Sequence, residues 1–492
     1  MQFSGFVKRI RDIMRGDAGV NGDAQRIEQL SWMIFLKIYD AAELNWEIEN
    51  DDYQSLLAPL HLRWRDWADF KSGKVETGES LLAFVNNTLL PGIKNLVVPL
   101  NTPKGQALIK TAFTDVHNFM KDGVVLREVL AEIDQIDFTD PQESHAFGEI
   151  YETILRNLQN ARDSGEFYTP RALTDFMAEH VQLKLGDQIA DLACGTGGFL
   201  NSAHRVLYPQ LQTADEIERF SRSFHGIEKK PLPYLLCLTN LLLNGIDNPD
   251  ILYGNSLTIK NCVDYTDQEC FDVILMNPPY GGVEKSEVQS KFLPGERSSE
   301  TADLFMLLIE KRLAKQGGRA AVVLPNGFLF GVGNKTAIKK KIMDKANLHT
   351  IVRLPTSVFA PYTSIATNIL FFDRSQPKTT ETWFYRVDMP KGYKNFSKTK
   401  PLKREHLKDL DLWWHNRQEI LDEDGLYKAK CYSRSEIEER GYNLDLCGYT
   451  KEEQDELLPP AELIANYQQK RAQHTEQIDA ILSQIMAMLG RA

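Results

Sequence analysis

The sequence lacks the marks of several protein classes. Its six cysteines are scattered and form no C-x-x-C pair, which argues against disulfides and structural zinc and favours reduced thiols. No uncharged apolar run approaches membrane-spanning length, and no long apolar region lies at the N-terminus. The chain has 57 Lys and Arg residues and 68 Asp and Glu residues, which gives a net charge of -11. This charge argues against a protein that binds nucleic acid without a partner. We expect a cytoplasmic globular protein without a metal site or membrane contact.

Two nucleotide-binding fingerprints are also missing. No G-x-x-x-x-G-K-[ST] phosphate loop occurs, because the segment Gly333-Asn334-Lys335-Thr336 lacks the adjacent Gly-Lys. The dinucleotide fingerprint G-x-G-x-x-G is absent as well. The chain is therefore not expected to hydrolyse nucleoside triphosphates at a site of this type.

The first part of the chain is predicted to be helical. Apolar residues recur at helical spacing within Ala24 to Glu49, and aromatic residues widen this stripe until little of the helix could face water. With 492 residues and 42% apolar content, the chain can form two or three domains. We interpret residues 1 to 145 as a helical domain, and the segment 24–49 as a helix of its core or of an interface.

After residue 146, strands and helices alternate, which indicates a doubly wound and mostly parallel sheet. Helices are predicted at Phe199 to Leu207, Pro231 to Leu243 and Asp303 to Lys315. The predicted strands are Gln188 to Cys194, Phe224 to Glu228, Ile251 to Asn255, Phe271 to Asn277, Arg319 to Leu324, His349 to Leu354, Asn368 to Asp373 and Trp383 to Val387.

A glycine-rich turn follows the first of these strands. The turn at Gly195, Gly197 and Gly198 precedes a helix, so the backbone can approach a ligand closely at a helix N-terminus. Asp191 would repel a pyrophosphate but suits the ammonium group of a nucleoside that carries an amino acid. S-adenosylmethionine is such a ligand.

Asn277-Pro278-Pro279-Tyr280 closes the fourth strand, at the edge where open α/β sheets bind ligands. The Asn277 side-chain oxygen and the Pro278 carbonyl can each accept one hydrogen of a flat primary amine. Tyr280 can stack on the ring that carries this amine. The alternative is a simple strand-ending turn, since Asn-Pro and Pro-Pro mark turns in many proteins.

Together, these motifs resemble those of amino-methyltransferases. The segment Asp191 to Leu200 resembles their cofactor motif and Asn277 to Tyr280 their catalytic motif, while Gly165 to Arg171 resembles an additional cofactor motif of DNA adenine-N6 methyltransferases. In this order and spacing they most resemble the modification subunit of type I restriction-modification systems. The resemblance implies a Rossmann-like S-adenosylmethionine-dependent methyltransferase domain with an N-terminal all-helical domain and a C-terminal helical tail.

The resemblance also implies a set of site residues. Asn277, Pro278, Pro279 and Tyr280 would be catalytic, and Asn277 would also border the cofactor. Glu228, at the end of the second strand, would accept the ribose hydroxyls, although beside Lys229 and Lys230 it could belong to an exposed charge cluster instead. Thr169-Pro170 could likewise be only a helix cap. The other expected S-adenosyl-L-methionine contacts are Glu166, Phe167, Tyr168, Thr169, Pro170, Asp191, Ala193, Gly195, Thr196, Gly197, Gly198, Phe199, Asn255 and Ser256.

The family implies the domains and partners. Residues 1–145 would contact DNA and partners, 146–410 would form the catalytic domain, 411–458 would connect, and a helix at 459–492 would dock on a separate specificity subunit or pack on its own domain. Two such chains per specificity subunit, double-stranded DNA and an ATP-dependent restriction subunit are implied partners. The polar loop from Gly281 to Ala302 is expected to order over DNA, the alternative being a merely solvated loop.

Three other functions stay open at this point. Protein glutamine methyltransferases also use Asn-Pro-Pro-Tyr, but their chains are generally shorter and lack this arrangement of domains. Cytosine-N4 methyltransferases more often carry Ser in place of Asn277. A non-catalytic scaffold for a specificity protein is the third, and the intact Asp191, Gly195, Gly197, Glu228 and Asn277 count against it.

Overall fold

The computed structural model describes residues 5–159, 168–360, 363, 365–397 and 399–448, and the helical positions 467, 468, 471, 472, 475, 478 and 479. The chain divides into two compact units, Met1–Gly448 and Tyr449–Ala492. Most of the predicted C-terminal helix, including its apolar stripe beyond residue 480, lies outside the described residues. The same is true of Glu166 and Phe167. No helix in the described ranges is long and apolar enough to cross a membrane.

The N-terminal part is helical, as predicted. Its longest helix, α2, carries Trp32, Phe35 and Tyr39 in fully buried positions and is a core helix of this region. The buried aromatic side chains explain why the sequence shows no polar face here. The helices are α1 Phe6–Met14, α2 Gly22–Glu49, α3 Trp64–Trp67, α4 Gly78–Phe84, α5 Leu90–Lys94, α6 Lys104–Ala112, α7 Gly123–Asp134 and α8 Pro141–Gln159.

Within the described residues, ten strands form one sheet in the order β3-β2-β1-β4-β5-β7-β6-β8-β10-β9. Strands β3, β2, β1, β4 and β5 pair in parallel, whereas β7 runs antiparallel between β5 and β6. The strands are β1 Ile189–Asp191, β2 Phe224–Glu228, β3 Asp250–Tyr253, β4 Val273–Met276, β5 Arg319–Pro325, β6 Asn347–Arg353, β7 Thr367–Asp373, β8 Glu381–Arg386, β9 Ile420–Leu421 and β10 Tyr427–Ser433.

Helices cover both faces of this sheet. The most apolar, α12, contacts α2 and α8 of the N-terminal region as well as α10, so one continuous hydrophobic core joins the two parts. The helices are α9 Arg171–His180, α10 Gly198–Leu207, α11 Ala214–Ser221, α12 Pro231–Leu243, α13 Ser286–Gln289, α14 Thr301–Arg312, α15 Asn326–Phe330, α16 Asn334–Lys345, α17 Lys408–His415 and α18 Arg434–Glu439.

All eight predicted strands are present, but several are shorter than predicted. The fourth ends at Met276, one residue before Asn277, because the two prolines that follow cannot donate ladder hydrogen bonds. The sheet also continues past residue 410, the predicted end of the catalytic domain, since β10 pairs antiparallel with β8. In β10, Lys428 and Lys430 alternate with Ala429 and Cys431, which is a strand pattern that the interpretation of 411–458 as a connecting region did not use.

Candidate active site

The chain reverses direction across the sheet at β1, which lies between β2 and β4. Such a switch point opens a crevice beyond the carboxyl ends of the strands. A cavity of about 350 Å³ lies there. Of the predicted site residues, those that line it are Tyr168, Thr169, Asp191, Ala193, Gly195, Thr196, Gly198, Phe199, Glu228, Asn255, Ser256, Asn277, Pro278 and Pro279.

Three of the described site residues lie beside the cavity rather than in its lining. Gly197 caps α10 with φ 78°, and a Cβ there would lie 3.0 Å from the Cys237 sulfur. Pro170 caps α9. Tyr280 contacts Asn277 through its hydroxyl. Gly197 and Pro170 would therefore shape the turn and the start of the helix. Tyr280 orients the Asn277 amide, and its stacking on a base stays a prediction.

The glycine turn is shaped for close approach of a ligand. Gly195 has φ 53°, a left-handed conformation that side chains disfavour. A Cβ on this residue would meet no atom within 4 Å, so its backbone borders open space in the cavity. The Gly195 amide donates to Glu228 Oε2 at 2.9 Å. The turn after β1 is thereby tied to the end of β2.

Glu228 is buried and already bound to the backbone. Besides Gly195, the Lys230 amide donates to its Oε1 at 2.8 Å. A carboxylate offers about four acceptor positions, so these two backbone bonds do not by themselves exclude a bond to a hydroxyl. The ribose role of Glu228 stays a prediction that this geometry permits.

Asp191 ends β1 and is almost completely buried. Burial raises the pKa of this carboxyl to about 8; the Ala193 amide at 3.1 Å opposes the shift, and the negative charge of Glu228 adds to it. A cation beside Asp191 would reverse the shift. A positively charged ligand group would therefore favour the ionised form of Asp191.

Asn255 and Ser256 follow β3 and close another side of the cavity. Asn255 Oδ1 accepts from the Leu257 amide at 3.1 Å, which fixes the side chain in a local turn. The Ser256 hydroxyl donates to the Leu192 carbonyl. Ser256 thus joins the β3 loop to the turn after β1, and its expected cofactor contact stays a prediction.

Both ends of the Asn277 amide are engaged. Its Nδ2 donates to Thr169 Oγ1 at 3.0 Å, across 108 positions of sequence, and the Tyr280 hydroxyl donates to its Oδ1. Burial raises the pKa of Tyr280, which keeps this hydroxyl protonated as a donor. The Tyr280 ring meets Phe359 edge to face, with centroids 6.3 Å apart. The amide is held in one orientation with its oxygen on the side of Tyr280.

Several cavity residues were missed by sequence reasoning. Thr301 and Phe305 enter from the first turns of α14, and Glu284 and Gly282 enter from the loop after β4. None belongs to a recognisable motif, so only the fold brings them to the site. Lys229 and Lys230 also line the cavity, although their position next to Glu228 gave a signal.

A separate group of possible metal ligands has its charge balanced by protein. Among the described residues, Glu179, His180 and Asp411 bring ligand atoms within 4.8 Å of one another. The Arg404 guanidinium pairs with both carboxylates, at 2.6 Å for Asp411. This guanidinium supplies the positive charge that a metal ion would bring.

Comparisons with known proteins identify the family of this fold. The family model described as N-6 DNA methylase matches residues 142–457, and the one described as HsdM N-terminal domain matches residues 3–133. The chain is 46% identical to the methylase subunit of the type I restriction enzyme EcoEI from Escherichia coli, over 100% of this chain and 98% of that one. It is 27% identical to the EcoKI methylase subunit from Escherichia coli K12, over 78% and 71%.

Solved structures give the same result. A structure described as a type I restriction enzyme modification subunit from Vibrio vulnificus YJ016 has a TM-score of 0.80 at 39% identity, over 93% of this chain and 98% of that one. A chain from a study of type I complex assembly has a TM-score of 0.78 at 31% identity, over 97% of each. The family model and the fold thus define an N6 DNA methylase. More narrowly, the chain belongs to the methylase subunits of type I restriction enzymes, which confirms the resemblance, the fold class and the adenine-specific DNA methyltransferase activity.

Proposed function

We propose that this protein transfers the methyl group of S-adenosyl-L-methionine to N6 of an adenine flipped out of double-stranded DNA, in complex with a separate specificity subunit. One observation carries the proposal. The glycine turn and the Asn277 amide border the same cavity, and Thr169 of the upstream loop bonds to that amide. A donor bound at the turn and an amine bound at Asn277 would therefore lie side by side.

The residues present fit this cofactor. Asp191 would pair with its ammonium group, Glu228 would accept its ribose hydroxyls, and Asn255 would border its adenine. The open space at Gly195 admits the ligand against the backbone. When bound, the cofactor supplies an electrophilic methyl group on a sulfonium.

The protein's part in the transfer is positioning. Asn277 Oδ1 and the Pro278 carbonyl would each accept one N6 hydrogen, which favours a more tetrahedral and nucleophilic nitrogen, while Tyr280 would stack on the base. With N6 held in this way, its lone pair would point at the methyl group that a bound cofactor would supply, and the cofactor's sulfur would be the leaving group. N6 releases one proton to water, since an amide and a carbonyl are not bases. No covalent bond to the protein is required.

Sequence recognition is assigned to a partner. Type I methylase subunits are named as parts of larger enzymes, and a structural relative comes from a study of type I assembly. The net charge of -11 is consistent with a chain whose binding to DNA depends on a partner subunit. Two methyltransferase chains per specificity subunit, and an ATP-dependent restriction subunit in addition, complete the proposed complex.

The test is a map of N6-methyladenine in DNA of the source organism, comparing the intact chain with Asn277→Ala. We expect one recognition motif to lose its methylation, because the variant lacks the acceptor for N6. Asn101→Ala, in an exposed loop, is the control and should leave the map unchanged. Methylation that persists in Asn277→Ala would contradict the proposal, and a protein glutamine amide would become the next substrate to examine.

A further inference from the structure

A run of lysines without acidic residues follows β8. Residues 389–403 contain five lysines and neither Asp nor Glu, in a chain whose net charge is -11. Lys391, Lys394, Lys400 and Lys403 are exposed. We call residues 389–403 the basic segment. Its local charge is opposite to that of the chain as a whole, so it can attract an anionic partner that the rest of the surface repels.

The sheet places the start of the basic segment at the edge that holds the catalytic cavity. β8 pairs in parallel with β6, and β6 and β5 both pair antiparallel with β7, so β8, β6 and β5 share one direction. β5 is in turn parallel to β4, the strand that precedes Asn277. The carboxyl ends of β4 and β8 therefore lie at the same edge, four strand spacings or about 20 Å apart.

Side-chain contacts connect the two strand ends. Phe359, in the loop between β6 and β7, meets the Tyr280 ring edge to face. Two residues earlier, the Ser357 hydroxyl accepts a hydrogen bond from the Phe396 amide at 2.9 Å. Ser357 and Phe359 are both buried. The basic segment is thus attached to the loop that packs against the catalytic tetrapeptide.

The aromatic residues of the basic segment serve its own packing. Phe396 is buried, and the Tyr393 and His406 rings lie 5.8 and 5.6 Å from its ring. Lys400 Nζ lies 5.4 Å from the centre of the Tyr393 ring. Because Phe396 is covered, it cannot stack on a base. The segment therefore offers ammonium groups to a ligand, and these suit phosphate oxygens.

Two of these ammonium groups are not neutralised by the protein. In the described part of the chain, no carboxylate forms an ion pair with Lys391 or Lys400. A second lysine-rich stretch, α16, differs in this respect. Its Lys335, Lys341 and Lys345 each pair with a carboxylate, at 2.6, 2.5 and 3.6 Å. Lysine charges that lack an internal partner are available to neutralise phosphates and release their counterions.

We propose that the basic segment contacts the phosphate backbone of the DNA whose adenine enters the cavity, with Lys391 and Lys400 each neutralising one phosphate. This inference rests on the proposed function. A phosphate contact about 20 Å from the cavity would position the duplex without reading its sequence. An acidic surface of a partner subunit is the alternative occupant.

The test measures DNA binding by the complete complex purified from source cells. Two duplexes, one with the mapped recognition motif and one without it, are compared at salt concentrations from about 0.05 to 0.2 M. For the double variant Lys391→Gln and Lys400→Gln, we expect the slope of log Kd against log salt concentration to fall by about 1.8, because each lost phosphate contact lowers it by about 0.9. Both duplexes should bind more weakly by the same factor, about tenfold or more at about 0.1 M salt.

Two further pairs of substitutions separate a contact from a general effect of charge. Lys391→Arg with Lys400→Arg keeps both charges and should retain the slope. Lys340→Gln with Lys378→Gln removes two exposed lysines that pair with no described carboxylate. Lys340 lies on α16, and Lys378 lies between β7 and β8, at the opposite edge of the sheet. This pair changes the net charge equally and should leave both the slope and the affinity unchanged.

Other outcomes would overturn the inference. An unchanged slope in the glutamine variant, or an equal change in the Lys340 and Lys378 control, would mean that the basic segment makes no phosphate contact of its own. Weaker binding of only the duplex with the motif would mean that the segment reads bases. A slope that fell equally in the arginine variant would point to a disturbed fold.

Two results bear on the partner and on the proposed function. Loss of a subunit from the glutamine variant complex, seen by size-exclusion chromatography, would make the basic segment a protein-docking surface and overturn the phosphate contact. If the unaltered complex bound the duplexes but methylated no adenine, the proposed function itself would fail, and the inference with it. If the unaltered complex methylated the motif and the glutamine variant bound DNA equally well, only the inference would fail.

Discussion

The buried Asp191 predicts an unusual dependence of stability on pH. In the folded protein without ligand, its pKa is about 8, against 3.8 for an unperturbed carboxyl. Between these values the unfolded chain has released the proton that the folded protein retains. Stability contributed by the protonated group is therefore fully present below about pH 4 and is lost as the pH rises through about 8.

The magnitude follows from this difference in bound protons. One retained proton changes the free energy of unfolding by about 1.4 kcal/mol per pH unit, so the contribution of Asp191 falls by about 3 kcal/mol from pH 5 to pH 7. Asp191→Asn keeps the shape of the side chain but cannot titrate. Subtracting the free energy of unfolding of this variant from that of the unaltered protein removes the pH-dependent contributions of the other titrating groups.

Chemical denaturation at pH 5, 6 and 7, without S-adenosylmethionine, measures this difference. We expect the free energy of unfolding of Asp191→Asn to rise relative to that of the unaltered protein as the pH rises. The variant should also bind the cofactor more weakly. The exposed Asp51→Asn is a matched control for removal of one carboxylate elsewhere. A stability difference that stays constant over this pH range would refute the reasoning.

Two further substitutions test the geometry of the site. Thr169→Val removes the hydrogen-bond partner of Asn277 Nδ2 and should slow methyl transfer about tenfold or more at saturating cofactor. Thr169→Ser keeps the hydroxyl and should retain the rate of the unaltered protein. Equal rates for the two variants in single-turnover assays would rule out positioning through the hydroxyl. Gly197→Ala places a residue with a side chain at φ 78° and brings its Cβ to 3.0 Å from the Cys237 sulfur. The free energy of unfolding should therefore fall by about 1–3 kcal/mol. The melting temperature should be lower than that of the control Gly148→Ala, which changes a helical glycine with open space around it. An unchanged melting temperature would contradict this account.

Local motifs predicted the parts of the site that lie close together in sequence. The glycine turn and the tetrapeptide at Asn277 each combine a strand end with residues of restricted or unusual backbone conformation, and such signals are readable without a fold. The doubly wound sheet followed from the alternation of strands and helices. Whether the residues singled out bind cofactor or substrate stays a prediction.

Long-range contacts were beyond the reach of the sequence. The bond between Thr169 and Asn277 joins a loop before β1 to the end of β4, and no local pattern encodes it. Thr301 and Phe305 reach the cavity only because α14 begins at its rim. Likewise, the alternating residues of β10 are typical of a strand, but they do not specify β8 as its partner in the sheet.

The hydrogen bond from Tyr280 to Asn277 bears on which bases the enzyme accepts. If Asn277 accepts the target amine as proposed, an entering adenine would replace the Tyr280 hydroxyl at Oδ1 with its own N6 hydrogen, so that Oδ1 would keep a hydrogen-bond donor. Thymine presents a carbonyl oxygen where adenine presents an amine. Thymine would displace the Tyr280 hydroxyl without donating a hydrogen bond to Asn277 Oδ1. Its carbonyl oxygen would then face another acceptor, at a cost of about 1–3 kcal/mol for each unsatisfied buried group. With Asn277 in its proposed role, the pocket would therefore select a base that carries an exocyclic amine.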